Sequence, residues 1–165
     1  TMNPGLLLDY SIGQYDNYTP IQLVQYAATI ANGGKKVQPK LVNTATEVNT
    51  DYTVYENKTQ VLSALPGSKE DLETIQMGFR EVVAGEHAID PIKSLDVQVA
   101  AKTGTAEVED FTNASLAGYA PYDKEAKVAF ACSVPESATN DQSVAGNLCA
   151  YNIMPEVLKE FFKKY

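Results

Sequence analysis

Apolar residues recur at helical spacing in two early stretches of the chain. The first, over about residues 20–32, has a capping hydroxyl at Thr19 and begins with a proline, whose missing N–H costs nothing at that position. The second follows Ser68, which has Asp71 three residues later as in a capping box, and ends at Gly85. These signals predict two amphipathic helices, and the residues before Thr19 are expected to be irregular.

The sequence between and after these helices is less regular. Residues 37–42 are predicted to be extended because Pro39 disfavours helix before it, and residues 43–62, rich in Thr, Asn, Val and Tyr, are typical of short surface strands. Residues 86–96 form a connector that carries the only histidine, His87. No acid–base partner lies near His87 in the sequence, so we interpret it as a surface residue.

Apolar residues are frequent in the last third of the chain, where three strands are predicted in succession. They cover residues 97–107, 115–120 and 127–134. The third is almost entirely apolar, which is typical of a strand that is covered on both faces. The segment Pro121–Glu125 between the last two strands is short enough for a hairpin.

The end of the chain completes the predicted architecture. A polar loop at 135–143 leads to a helix at about 147–163, in which Pro155 favours a later start or a bend. Helices, then three consecutive strands, then a closing helix indicate an α+β fold with an antiparallel sheet flanked by helices. Three strands are few for a sheet with two covered faces, so we expect residues 1–165 to need further strands from outside.

The charge balance and the residue inventory exclude several classes of function. The 165 residues include 13 Lys or Arg and 21 Asp or Glu, a net charge of −8, without the basic clusters that bind nucleic acid. No apolar run reaches the roughly 20 residues of a membrane-spanning helix, and no signal-peptide pattern is visible. A protein-only zinc site usually has three or four clustered Cys or His ligands, whereas this sequence has one His and two Cys that lie 17 residues apart. We therefore expect no metal and no cofactor.

The two cysteines have two possible states. Cys132 lies in the third predicted strand, on the same face as Val128, Phe130 and Val134, and Cys149 lies near the start of the closing helix. A disulfide between them would add about 3 kcal/mol of stability by restricting the unfolded chain. We nevertheless expect two buried free thiols, because neither position needs a covalent link if other chain segments complete the core.

Candidate chemistry is concentrated in Lys102-Thr103-Gly104-Thr105, on the first of the three strands. The segment offers one cation, two hydroxyls and a glycine, whose missing side chain lets another backbone come close. The lysine and the hydroxyls suit a carboxylate, and backbone N–H groups suit a developing oxyanion. An exposed edge strand with no catalytic role is the alternative, and four residues alone do not decide between the two.

The segment and several blocks around it resemble the C-terminal part of the transpeptidase domain of penicillin-binding proteins, most closely the monofunctional class B kind. Lys-Thr-Gly is the third motif of penicillin-binding proteins and of class A β-lactamases. The resemblance covers about residues 10–135. The similar blocks, in family order, are Ser11–Gln14, Tyr18–Leu23, Ala28–Gly34, Met77–Val83, Ala101–Glu107 and Gly118–Pro121.

The resemblance implies a β-lactamase/transpeptidase-like fold and a serine acyltransferase that cross-links peptidoglycan stem peptides ending in D-Ala-D-Ala. β-Lactam antibiotics would acylate the same serine, outside the cytoplasmic membrane of a bacterium, where an N-terminal segment anchors the protein. By motif, Lys102 would supply positive potential and assist proton transfer, and the hydroxyls of Thr103 and Thr105 would hold the carboxylate. Gly104 would let the ligand lie along the strand, and the Thr105 N–H would be one oxyanion donor.

The family's other two motifs are missing from this sequence. No Ser is followed three residues later by Lys, and no Ser-x-Asn occurs. Both motifs lie N-terminal to these blocks in the family, so we interpret residues 1–165 as one partial domain whose N-terminal remainder supplies the nucleophile. Without that nucleophile the chain is expected to be inactive.

Two other readings of the same motif stay open. The chain would fit a serine β-lactamase or a D,D-carboxypeptidase, which use Lys-Thr-Gly for hydrolysis, although the blocks upstream of Lys102 favour the transpeptidase. It would also fit a non-catalytic module that holds peptides on the strand edge.

Overall fold

The computed structural model describes residues 4–11, 13, 16–108, 110–139 and 147–165. The helices within these ranges are α1 (Pro4–Ser11), α2 (Pro20–Ala31), α3 (Lys69–Ala84), α4 (Asp90–Lys93), a π-helical segment (Cys149–Ile153) and α5 (Met154–Lys164). The strands are β1 (Lys35–Val37), β2 (Thr44–Thr46), β3 (Thr53–Glu56), β4 (Val61–Ala64), β5 (Ala100–Val108), β6 (Phe111–Ala120) and β7 (Val128–Thr139).

The strands form one three-stranded sheet and two small two-stranded sheets. The large sheet has the order β5–β6–β7, and both of its strand pairs are antiparallel. β1 pairs with β4 and β2 pairs with β3, also antiparallel. The predicted α+β fold with an antiparallel sheet, the three consecutive strands and the β6–β7 hairpin are confirmed, as are short strands within residues 43–62.

Helices cover both faces of the large sheet. Because side chains alternate along a strand, successive residues of β5 serve opposite faces. Ala101 faces a core that includes Leu116 and Leu158 of α5. Ala100 faces a second core with Ile30 of α2 and Phe79 of α3. β5 is therefore fixed from both sides at its start, just before the candidate segment.

Side-chain hydrogen bonds to backbone carbonyls tie the helices to this framework. Gln76 of α3 donates from Nε2 to the carbonyl of Ile30 at 2.8 Å, which joins α3 to α2. Arg80, one turn further along α3, donates from Nη1 to the carbonyl of Val99 at 2.8 Å. This second bond holds the residue that immediately precedes β5.

Both helices begin where predicted, but the Thr19 hydroxyl does not cap its helix as expected and instead donates to Oε1 of Gln22 at 3.0 Å. The N–H of Thr19 donates to Oε1 of Gln22 at 2.8 Å at the start of α2. At the start of α3 the bonds are reciprocal: the Ser68 N–H donates to Oδ2 of Asp71 at 2.8 Å, and the Asp71 N–H donates to the Ser68 hydroxyl at 3.1 Å. Each bond satisfies an N–H group that the helix itself cannot pair.

The capping box of α3 gives the protein a pH dependence. The Ser68 backbone N–H, and then the Ser68 hydroxyl, lower the pKa of Asp71 below its ordinary value. The hydrogen bonds that lower this pKa contribute their full stabilisation above the ordinary Asp pKa of about 4. That contribution is lost as the pH falls below this value and the Asp71 carboxylate becomes protonated. We expect Asp71→Asn, which keeps an acceptor oxygen, to show a smaller fall in melting temperature between pH 6 and pH 3 than the unmodified protein. The control is Asp51→Asn, whose carboxylate accepts no hydrogen bond from the described residues; an equal effect of both substitutions would contradict the expectation.

The first helix corrects a prediction. The residues before Thr19 were expected to be irregular, but Pro4–Ser11 is helical. Its leucines, Leu6, Leu7 and Leu8, are consecutive and all exposed. Because the helix buries no stripe of side chains against the described residues, its sequence has no helical period by which to recognise it.

Other boundaries differ from the prediction. β7 continues to Thr139, where a loop was expected at 135–143, because its polar end remains paired with the polar start of β6; residues 140–146 of that expected loop lie outside the described ranges. The closing helix is divided into the π-helical segment and α5, with Pro155 in the first turn of α5, as its later start predicted. The connector at 86–96 contains the short helix α4, and of the extended segment at 37–42 only Val37 lies in a strand.

The cysteines form a disulfide, which corrects the prediction of free thiols. Cys132 of β7 and Cys149 of the π-helical segment are bonded, and their Cα atoms are 5.6 Å apart. Cys132 packs against the core that includes Phe130 and Cys149, as strand alternation predicted. The prediction failed because alternation fixes the face of Cys132 but not the path of the closing segment. That path places Cys149 on the same face of the sheet, within disulfide distance.

Chemical titration provides a test of this bond. We expect the denatured, unreduced protein to have no free thiol, and the double variant Cys132→Ser/Cys149→Ser to lose about 3 kcal/mol of unfolding free energy in urea, because the bond closes a separation of 17 residues. Two reactive thiols in the unreduced protein would show that the bond does not form.

The described helices include none with the length and apolar character that crossing a membrane requires.

Candidate functional site

The segment Lys102-Thr103-Gly104-Thr105 lies in the middle of β5, at one edge of the described three-stranded sheet. Lys102 and Thr105 are exposed, whereas Thr103 and Gly104 are half-buried. β5 has β6 on one side and no paired strand on the other within the described ranges. Such an edge can add an extended peptide as a further strand, with main-chain hydrogen bonds giving affinity.

The register with β6 assigns the four side chains to two faces. Thr103 lies opposite Leu116, and Gly104 lies opposite Ser115, with no bulge in this strand pair. Alternation therefore places the hydroxyls of Thr103 and Thr105 together on the face of Leu116, and places Lys102 on the other face with Gly104. The two hydroxyls and the ammonium group approach a common ligand only at the unpaired edge of β5.

Lys102 is available to a negatively charged ligand. Its ammonium group donates a hydrogen bond to the carbonyl of Thr103 at 2.7 Å. It forms no ion pair within the part of the chain that the structure describes. The charge of this exposed side chain is therefore not neutralised by a carboxylate of the described residues.

Gly104 leaves room for the side chain of its neighbour on β6. A Cβ atom at this position would clash with the hydroxyl oxygen of Ser115 unless that side chain turned away. The same hydroxyl donates to the carbonyl of Gly104 at 3.3 Å. From the sequence, Gly104 was explained by the close approach of a ligand backbone. The structure adds a second reason, which is packing against Ser115 within the sheet.

The carbonyl of Gly104 has a second donor that the sequence interpretation missed. Nδ2 of Asn147 donates to the carbonyl of Gly104 at 2.8 Å and to the carbonyl of Ser115 at 2.9 Å. Asn is a residue type that often bonds backbone groups at helix starts, and Oδ1 of Asn147 indeed accepts from the N–H of Ala150 at 3.2 Å. That signal indicates a bond to the following segment but not the contact with β5.

The position of these donors orients the peptide group between Gly104 and Thr105. The C=O and N–H of a trans peptide bond point in opposite directions, and the only described cis bond is Ala120–Pro121. Because the Gly104 carbonyl is directed towards Ser115 and Asn147, the Thr105 N–H is directed away from β6. It therefore points to the unpaired edge of β5.

Comparison with known proteins places this geometry in a family. Residues 3–155 match the family model of the penicillin binding protein transpeptidase domain. The chain belongs to this family. The predicted membership of the penicillin-binding transpeptidases is confirmed, and so is the predicted fold.

Individual penicillin-binding proteins agree with this membership. Penicillin-binding protein 2A of Bacillus subtilis (strain 168) is 34% identical over 98% of the chain and 24% of its own length. The solved structure of penicillin-binding protein 2B from Streptococcus pneumoniae (strain R6) superposes with a TM-score of 0.83, at 28% identity, over 100% of the chain and 28% of its own. The imipenem acyl-enzyme complex of penicillin-binding protein A from M. tuberculosis has a TM-score of 0.72, at 28% identity, over 90% of the chain and 33% of its own. The chain thus spans about a quarter to a third of the length of these penicillin-binding proteins.

Two other titratable side chains, His87 and Tyr119, lie outside the candidate segment. His87 is exposed, as predicted. Burial, and to a lesser degree Tyr122, raises the pKa of Tyr119 to about 12, so its phenol stays neutral in the core behind Lys102. No group of three or more His, Cys, Asp or Glu side chains among the described residues is arranged to hold a metal ion.

Proposed function

We propose that the protein carrying this chain is a penicillin-binding D,D-transpeptidase, and that residues 1–165 are the C-terminal part of its catalytic domain. The observation that carries the proposal is Lys102-Thr103-Gly104-Thr105 on the unpaired edge of β5, in a chain that matches the transpeptidase family over residues 3–155. The nucleophilic serine and its lysine partner would come from the N-terminal part of the same domain, since no Ser-x-x-Lys occurs in this sequence.

The reaction is an acyl transfer in two steps. The serine oxygen attacks the carbonyl carbon of the penultimate D-Ala of a stem peptide, the C–N bond to the terminal D-Ala breaks, and that D-Ala leaves with the serine proton. An amine of a neighbouring peptidoglycan strand then attacks the ester carbonyl, forms the cross-link and returns the proton to the serine. A β-lactam imitates the D-Ala-D-Ala end and remains as the ester.

The edge of β5 supplies the binding half of this chemistry. The N–H of Thr105, which points to the unpaired edge, would donate to the oxyanion that forms on the attacked carbonyl, with the serine N–H as the second donor. One such donor contributes about 3 kcal/mol to transition-state stabilisation. The hydroxyls of Thr103 and Thr105, which share a face, would bind the terminal carboxylate of the stem peptide or the carboxylate of a β-lactam.

Lys102 provides the charge for the same ligand. Its unneutralised ammonium would attract the carboxylate and stabilise the negative charge that develops during acylation, and it would assist proton transfer from the serine. Gly104 keeps the middle of the edge free of a side chain, so that a peptide backbone can lie along β5. No cofactor enters these steps.

Substrate and location follow from the same proposal. The stem peptide of peptidoglycan lies outside the cytoplasmic membrane of a bacterium, so the domain would work on that face, anchored by a segment N-terminal to this chain. The acyl-enzyme complex of the M. tuberculosis relative with imipenem supports β-lactams as ligands of this chain's parent protein.

A labelled penicillin distinguishes this function from the alternatives. The full-length protein should bind one labelled penicillin per molecule and release it over many minutes to hours, as a transpeptidase does with a substrate mimic. Rapid release of hydrolysed penicillin would instead identify a serine β-lactamase or a carboxypeptidase. Reversible peptide binding without any covalent label would identify a non-catalytic module.

A further inference from the structure

We propose that Asn147 is a positioning residue for the oxyanion donor of β5, and that the Cys132–Cys149 disulfide fixes the segment from which Asn147 acts. The inference rests on the proposed function, because it assigns Asn147 a task in the acylation step. Asn147 lies outside the Lys-Thr-Gly-Thr motif and 43 residues after Gly104 in the chain.

The inference starts from the peptide group that joins Gly104 to Thr105. The carbonyl oxygen and the N–H of this group are parts of one rigid plane, so a force that orients the oxygen also orients the N–H. Asn147 donates to that oxygen at 2.8 Å, which is an ideal distance for an amide hydrogen bond. Hence Asn147 helps to set the direction of the Thr105 N–H, in addition to the pairing of β5 with β6.

Glycine makes this support necessary. A glycine samples more backbone conformations than any other residue. The Ser115 hydroxyl occupies the space that a side chain at position 104 would need. The Ser115 hydroxyl bond to the Gly104 carbonyl is long, at 3.3 Å, whereas the Asn147 bond is short. Asn147 therefore supplies the stronger of the two side-chain restraints on the Gly104–Thr105 peptide plane.

The Asn147 bond also strengthens the donor itself. Hydrogen bonds that pass through one peptide group polarise each other, so a donor on the carbonyl oxygen makes the N–H on the other side a better donor. An oxyanion at the Thr105 N–H would thus be in line with the Asn147 amide. This strengthening of the Thr105 N–H matters little for the uncharged carbonyl oxygen of the bound ligand and more once that oxygen carries negative charge.

The segment that carries Asn147 is bonded to all three strands. Its amide contacts β5 and β6 through Gly104 and Ser115. Two residues later Cys149 is bonded to Cys132 of β7, and Cys149 is fully buried. The register places Thr103, Leu116 and Cys132 side by side across the three strands. The disulfide is therefore attached in the same row of residues as Thr103 of the candidate segment.

The central test is Asn147→Ala in the full-length protein, with the rate constant of acylation by benzylpenicillin measured separately from the dissociation constant of the non-covalent complex. We expect the rate constant to fall about tenfold, less than the 10²–10³-fold loss typical of removing an oxyanion donor itself. The dissociation constant should change less than twofold, because the groups that bind the carboxylate are unchanged. Asn147→Asp, which keeps the size but loses the donor, should behave like Asn147→Ala.

Asn113→Ala is the matched control. Asn113 lies on β6 opposite Ala106, and its Oδ1 accepts a hydrogen bond from the Glu136 N–H at 2.8 Å. No hydrogen bond among the described residues joins its side chain to Gly104. Its loss should lower the melting temperature as Asn147→Ala does but leave the acylation rate constant within twofold. Equal loss of rate in both variants would make the role of Asn147 merely structural and overturn the inference.

Reduction of the Cys132–Cys149 disulfide provides an independent test. Reduction of the folded protein should slow acylation of the unmodified protein but add little to the defect of Asn147→Ala, since both changes remove the same restraint. Additive effects would overturn the link between the disulfide and Asn147. If the unmodified protein is not acylated at all, the proposed function fails and this inference fails with it, whereas normal acylation of both Asn147 variants overturns this inference alone.

Discussion

Replacing Lys102 by alanine in the full-length protein is expected to slow acylation by benzylpenicillin about a hundredfold or more. A unit charge about 4 Å from an anion contributes about 4 kcal/mol at the effective dielectric constant of a protein surface, and each 1.36 kcal/mol is a factor of about ten in rate. The unfolding free energy should change by less than about 0.5 kcal/mol, because Lys102 is exposed and its side chain, among the described residues, bonds only to the carbonyl of Thr103. Stopped-flow acylation and urea unfolding, measured on the same sample, check both halves.

Two variants make the Lys102 experiment specific. Lys36→Ala removes an exposed lysine from β1, which belongs to a different sheet, and should leave the acylation rate unchanged. Lys102→Arg keeps the charge but loses the compact ammonium and its ability to exchange a proton, so it should recover carboxylate binding more than acylation rate. Parallel loss of stability and rate in Lys102→Ala would mean that the residue is structural.

The features that could be predicted from the sequence are those with a local signal. Ser68 caps its helix through a bond with Asp71, three positions away, and both residue types are visible in the sequence. The start of the other helix was visible from Thr19 followed by Pro20. The strands β5 to β7 were found from their own composition, and the short connection between the last two predicted their hairpin. The antiparallel sheet was inferred from the order of helices and strands along the chain. The candidate segment Lys102–Thr105 was found because four adjacent residues carry it.

The features that could not be predicted depend on contacts between distant residues. The polar end of β7 is a strand only because β6 lies beside it, so its composition alone indicated a loop. Leu6 to Leu8 lie in a helix that buries no stripe of side chains against the described residues, so the spacing of apolar residues did not indicate this helix. In both cases a neighbouring element, or the lack of one, overrides the local pattern.

The candidate site shows the same division between local and distant signals. Strand alternation correctly placed Cys132 towards the core, but whether Cys149 reaches it depends on the path of the π-helical segment. Asn147 bonds carbonyl groups that are 43 and 32 residues away in the chain, and nothing in its immediate sequence indicates this contact. The residues that would touch ligand were therefore predictable from a motif, whereas the residue that orients their backbone was not.

The 165-residue chain by itself is expected to form no covalent adduct with benzylpenicillin, whereas the full-length protein should gain one per molecule. No serine of the chain is followed by the lysine that activates the family's nucleophile. Ser115, which lies opposite Gly104, is on the same face as Lys102, but this serine is half-buried and its hydroxyl donates to the Gly104 carbonyl. The Lys102 ammonium is meanwhile bonded to the carbonyl of Thr103, so neither group activates the other.

Intact-mass measurement after incubation with a large excess of benzylpenicillin decides between these outcomes. The chain and the full-length protein are treated identically, and circular dichroism on the same samples confirms that the chain retains its helices and strands. An adduct on the full-length protein alone would locate the nucleophile outside these 165 residues. A stoichiometric adduct on the chain would contradict the expectation, and peptide mapping to Ser115 would mean that Lys102 activates a serine of its own sheet. The variant Ser115→Ala would then abolish that adduct, although the same substitution should leave acylation of the full-length protein nearly intact if the nucleophile lies elsewhere.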